Sequence, residues 1–164
     1  MNRFVIFIDG NMNSGKSTVA RLLVKHIDRP AVIEIDELRH FVSWMDVRDT
    51  IRMNWENALL LVKNFIKNDF NVIVPYPISI DNYHFIISQL GDIDAKLYFV
   101  TLNPPIKVLL KNRGARRLSG DEKVRIGELD KNGIAKQKYG LMIDNSKQKM
   151  QETVDEILRY INYN

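Results

Sequence analysis

The chain has no cysteine among its 164 residues, so neither a disulfide framework nor a thiolate metal site is open to it. Its three histidines, His26, His40 and His84, do not fall at metal-ligand spacing, which argues against a histidine-held metal centre. Internal repeats, low-complexity tracts and linkers are missing too. No apolar run approaches the roughly 20 residues that cross a bilayer. The first apolar run is short and leads into a glycine turn rather than a cleavage site, so a soluble, cytoplasmic protein with no membrane partner is expected. Charge of one sign is also modest: 24 lysines and arginines against 20 aspartates and glutamates give a net charge of +4, which favours an anionic ligand without requiring a nucleic acid.

What is present begins with Phe4–Ile8, a continuous apolar run of the kind that forms a strand buried on both faces of a parallel sheet. It stops at Asp9. Gly10, Asn11, Met12, Asn13, Ser14, Gly15, Lys16 and Ser17 then fit G-x-x-x-x-G-K-[ST], with Thr18 following. In that pattern the glycines let backbone N–H groups turn around phosphate oxygens, the lysine reaches the β- and γ-phosphates, and the hydroxyl of Ser17 holds magnesium. From Lys16 to Ile27 the pattern is helical, so the helix dipole points at the bound anion.

Further along, Ala31–Ile35 reads as a second strand leading to Asp36, a carboxylate at the ligand side of an open α/β sheet. There it can take a proton from an attacking hydroxyl, orient magnesium water, or simply cap the next helix. Asn54–Asn68 has a strong amphipathic rhythm and is expected to be scaffold. Residues 70–74 form a third strand stopped by Pro75-Tyr76-Pro77, with Tyr76 either contacting substrate or packing between the prolines. Ser79 or Asp81 caps a helix closed by Gly91, Lys96–Leu102 is the fourth strand, and 106–112 the next helix. A fifth strand starts at Leu141, and Gln151–Ile161 closes the chain as an amphipathic helix. Between Phe41 and Arg52, Phe41 and Trp44 are assigned to packing or to stacking on a substrate ring.

Basic charge concentrates in residues 107–125, where seven lysines and arginines face only Asp121 and Glu122. The core of that segment is Arg113-Gly114-Ala115-Arg116-Arg117, and Ser119 to Glu122 has the spacing of a capping box. Arginine suits phosphate because its charge is permanent and its planar fork binds oxygens in pairs.

The phosphate loop, Asp36-x-x-Arg39 and the arginine-rich stretch together resemble the P-loop kinase superfamily of small nucleoside, nucleotide and metabolite kinases, including chloramphenicol phosphotransferase and the polynucleotide 5′-kinases. The resemblance implies one domain over residues 1–164, a three-layer α/β/α sandwich with a five-stranded parallel sheet in the order 2-3-1-4-5, and a lid at about 113–122. It implies ATP and Mg2+ as cofactors, bound by residues 10–18 and Arg113, with Ser17 and Asp36 toward the metal. Lys16, Asp36, Arg113 and Arg117 are then catalytic, and Asp36, Arg39 and Tyr76 contact the acceptor. The loop after the fifth strand, with Asn145 and Ser146, lies toward the nucleotide base. The expected reaction is transfer of the γ-phosphoryl group of ATP to a hydroxyl of a small-molecule acceptor. A nucleotide or polynucleotide acceptor, or a non-kinase ATP-binding module, stays open. No Asn-Lys-x-Asp guanine signature accompanies the loop, which argues against a GTPase.

Overall fold

The computed structural model describes residues 3–112 and 117–163. Its strands are β1 (Phe4–Gly10), β2 (Pro30–Val32), β3 (Asn71–Pro75), β4 (Lys96–Leu102) and β5 (Leu141–Ile143), joined in one sheet in the order β2-β3-β1-β4-β5. Every pairing is parallel, with Val5 opposite Val72 on one side and Leu97 on the other. This is the expected order. The helices are α1 (Lys16–Leu23), α2 (Ile35–Leu38), α3 (Val47–Lys67), α4 (Ile80–Leu90), α5 (Ile106–Leu109), α6 (Gly120–Lys131) and α7 (Met150–Tyr160), with a 3-10 turn at Arg39–Val42.

All seven residues of β1 are buried, as a central strand of a covered sheet requires. Successive side chains point to opposite faces, so the strand feeds two cores. Val5 and Phe7 pack with Trp55, Ala58 and Val62 of α3 and Ile86 of α4. Phe4, Ile6 and Ile8 pack with Val19, Ala20 and Leu23 of α1 and Val154 and Ile157 of α7. Helices thus cover both faces, and the loops at the C-terminal edge of the sheet remain for ligands. No helix among the described residues is long and apolar enough to cross a membrane.

Several boundaries differ from the sequence expectation. The first helix ends at Leu23 rather than Ile27, and β2 is shorter than expected because Ile35 already opens α2. Helix α3 starts seven residues earlier than its apolar rhythm suggests, because Asp46 accepts a hydrogen bond from Arg48 N at 2.8 Å and caps it. The capping box at Ser119 and Glu122 forms as expected, with bonds of 3.1 and 2.9 Å.

Candidate active site

The turn after β1 is built on unusual backbone angles. Gly10 has φ +151° and Gly15 φ +99°, with Asn13 at φ +64° between them. A Cβ at Gly10 would come within 2.5 Å of Ser14 Oγ and 2.8 Å of the Leu102 carbonyl, so the position requires glycine for space as well as for conformation. The turn ends at the first residue of α1, whose opening N–H groups have no partner within the helix and form a concave donor surface.

Side chains of the loop are committed to holding it. Asn11 Nδ2 donates to the Ile126 carbonyl of α6 at 3.0 Å. Asn13 Nδ2 donates to the carbonyls of Leu109 and Lys111 at 2.8 and 2.9 Å, tying the loop to the end of α5. Asn145, expected beside a nucleotide base, instead donates from Nδ2 to the Ser14 carbonyl at 2.9 Å and is fully buried. What the loop offers a phosphate is therefore mainly backbone N–H together with Lys16, whose Nζ donates to the Asn11 carbonyl at 2.9 Å.

Ser17 Oγ donates to Glu34 Oε2 at 3.2 Å. Burial raises the Glu34 pKa above its ordinary value, with the Ser17 bond and nearby Arg21 opposing the shift. Asp36 lies two residues further on; it is exposed on α2 and makes no cap, since Glu34 occupies the N-cap position. Ser17, Glu34 and Asp36 nevertheless line one cavity of about 750 Å3 between α1, the end of β2, α2 and α3. A serine hydroxyl beside a carboxylate fits magnesium, which takes hard oxygen ligands, keeps several waters and needs few protein oxygens when phosphates are present. Among the described residues no cluster of three or more His, Cys, Asp or Glu offers an all-protein metal cage.

Tyr76 is held at the sheet edge by its N–H to the Ile8 carbonyl at 3.1 Å, with its ring edge-on to Trp55 at 5.6 Å. Its phenol pKa is raised first by burial and then by Asp36, while Arg39 and Arg125 oppose the rise. Arg39 is half-buried, and its guanidinium has no hydrogen-bond or ion-pair partner among the described residues. Phe41 and Trp44 are 84% and 83% exposed, which excludes the packing assignment for both.

No protein-family model matches the sequence, and no curated protein matches it. Solved structures do match. The Deinococcus radiodurans tunicamycin resistance protein superposes with a TM-score of 0.71 at 21% identity, over 99% of this chain and 97% of that one. The Mycobacterium tuberculosis APS kinase CysC, in complex with AMPPNP and APS, gives 0.68 at 16% identity over 98% of each chain. A gluconokinase from Sinorhizobium meliloti 1021 gives 0.69 at 16% identity, over 98% of this chain and 93% of that one. The chain has the fold of the P-loop kinases. At these identities the likeness speaks for the fold, and the chemistry has to be argued from the residues.

On this P-loop kinase fold, two polar residues stand out that the sequence reading passed over. Glu34 falls inside the expected second strand, and only the short β2 brings its carboxylate to Ser17. Asp9, read merely as the end of an apolar run, is 1% exposed. Its Oδ1 accepts from Gly10 N at 2.7 Å and Ile78 N at 2.8 Å, so it locks the phosphate loop to the segment after β3. Burial raises its pKa, against these bonds and Lys16. Of the arginines expected in a lid, Arg117 is described and exposed, whereas Arg113 and Arg116 lie outside the described residues. Asn112 Oδ1 accepts from Leu118 N at 3.0 Å.

Proposed function

We propose that the chain is an ATP-dependent phosphotransferase that moves the γ-phosphoryl group of ATP, with magnesium, to a hydroxyl of a small-molecule acceptor. The observation that carries this reading is the single cavity shared by Ser17, at the start of the phosphate-loop helix, and the carboxylates of Glu34 and Asp36. A phosphate site with a carboxylate set beside it suits transfer better than sensing. Such a reaction belongs where ATP is, in the cytoplasm.

In this reading the N–H groups from Gly15 to Thr18 cradle the phosphates, and Lys16 leaves the Asn11 carbonyl for the β- and γ-oxygens. Ser17 and Glu34 would hold the magnesium, with Asp36 beside them, and the ion bound there would supply charge that neutralises the phosphates. Asp36 accepts the proton of the attacking hydroxyl as the new O–P bond forms and the bond to ADP breaks. Arg39 and Tyr76 position the acceptor. Arg117 and Arg113 stabilise charge on the transferring group, a role in which one well-placed donor is worth ~3–4 kcal/mol in other enzymes.

A second reading is favoured by one observation. The exposed rings of Phe41 and Trp44, just past Arg39, suit stacking on a base, as a nucleotide or polynucleotide acceptor would offer. Both readings face the same experiment: labelled ATP with a panel of sugars, sugar acids, nucleosides, nucleotides and 5′-hydroxyl oligonucleotides. Label should pass to a small hydroxylated acceptor, and Asp36→Asn should lose most of that turnover while binding ATP within a few-fold of the parent. Transfer to oligonucleotides alone would establish the second reading; ATP binding without transfer to any acceptor would leave a nucleotide-binding module.

A further inference from the structure

The cavity that carries Ser17, Glu34 and Asp36 does not end at those groups. It runs along the end of β2, an edge strand of the sheet, and its remaining wall is apolar, with Val32, Leu38 of α2, and Leu61 and Phe65 of α3. All four are half-buried, so each keeps carbon surface open to the cavity. Helix α3, expected to be scaffold, therefore supplies part of the site. A hollow of about 750 Å3 with an apolar wall and a few polar groups gathered at one end has the form of a small-molecule site, and phosphates with magnesium would fill only the end at Ser17.

The charge of this cavity is one-sided. Glu34, Asp36 and Glu37 line it against Arg21 alone, and Arg21 Nε already donates to the Ser17 carbonyl at 3.1 Å. Magnesium and the reacting hydroxyl would engage Glu34 and Asp36, which leaves Glu37. Its carboxylate lies 3.6 Å from His40 Nε2, and both side chains are largely exposed, so that pair holds weakly and the carboxylate is available to a better cation. An acidic acceptor would meet like charge here; a basic one would meet its complement.

We propose that this pocket holds the body of the acceptor, and that the acceptor is an amphipathic amino alcohol, with apolar carbon against Leu38, Leu61 and Phe65, a basic nitrogen toward Glu37 and a hydroxyl toward Asp36. This rests on the phosphotransferase reading and names the substrate class of the same site. The hydroxyl oxygen bonds to the γ-phosphorus as the bond to ADP breaks, and its proton passes to Asp36. Burial of the apolar body supplies affinity, while the nitrogen and the hydroxyl fix orientation.

The test compares matched probes by calorimetry in protein already saturated with AMPPNP and magnesium: phenylalaninol, the neutral 3-phenylpropane-1,2-diol, the anionic 3-phenyllactate, and glycerol, which lacks an apolar body. Phenylalaninol should bind tightest, the diol about threefold more weakly, and phenyllactate and glycerol about tenfold more weakly or worse. Leu61→Gln should weaken phenylalaninol and the diol alike, by about fivefold or more. Leu60→Gln, the same change one position away at a side chain 66% exposed and outside the cavity, should move neither. Glu37→Gln should bring phenylalaninol down to the level of the diol and leave the diol where it was. Phenyllactate binding as tightly as phenylalaninol would overturn the proposal, as would phenylalaninol affinity unchanged in Leu61→Gln or in Glu37→Gln. With labelled ATP, label should pass to phenylalaninol. Probe binding in the expected pattern with no label passing to any acceptor would instead defeat the phosphotransferase reading and leave the pocket a ligand site.

Discussion

At the scale of single residues, Lys16 and Glu34 differ in what they cost the free protein. Lys16 donates to the Asn11 carbonyl of its own loop, a hydrogen bond worth ~1 kcal/mol, and Lys16→Ala should leave the protein folded. Transfer should be abolished, and the thermal stabilisation by magnesium–ATP should shrink sharply; equal stabilisation of parent and variant would remove the loop from the site. Glu34 is a strained charge. Because burial raises its folded pKa, its favourable contribution is complete below the ordinary value of 4.5 and is lost as pH rises through the raised folded value. At pH 7 the ionised group therefore weighs against the fold. Glu34→Gln should raise the melting temperature of the ligand-free protein at pH 7 by about 2 °C, a figure reduced for its half-exposure, with the gain gone near pH 4. The same variant should lose magnesium-dependent ATP stabilisation, and a variant that keeps it would remove Glu34 from the metal site.

At the scale of elements, α6 has two roles that can be separated. Its start is stabilised by the Ser119–Glu122 capping box, and its middle is fastened to the phosphate loop through Asn11. Ser119→Ala should cost ~1 kcal/mol of stability with little change in ATP affinity. Arg117→Ala touches no such bond among the described residues. If Arg117 engages only on lid closure, its loss should lower kcat far more than it weakens ATP, and steady-state kinetics beside ATP titration will show which parameter moves. Loss of ATP affinity alone would place Arg117 in ground-state binding.

At the scale of the whole molecule, ligand binding and folding are linked, since the loop, α5, α6 and the segment after β5 are joined through Asn13, Asn11 and Asn145. Magnesium–ATP at 100 times its Kd should stabilise the protein by about 2.7 kcal/mol. An acceptor strand would add steep salt dependence through counterion release, whereas a small neutral acceptor would show little, so an activity series in salt separates them. The sequence by itself determined the sheet and the phosphate loop. Both are local: buried strands spell themselves in continuous apolar runs such as Phe4–Ile8, and the turn spells itself in Gly10 and Gly15, whose positive φ other residues resist. It also carried Asp46 as the cap of α3, but Arg48, Asp49 and Arg52 break the apolar rhythm there and hid the helix's first two turns. Only the tertiary structure decided which polar groups face one another. Glu34 meets Ser17 because β2 docks at the sheet edge, and Asn145 reaches Ser14 across 131 positions of chain. Asn11 meets the Ile126 carbonyl because α6 packs against the phosphate loop. A hydrogen bond or a charge acts over a few ångströms of space, and spacing along the chain does not encode that proximity until the sheet has formed.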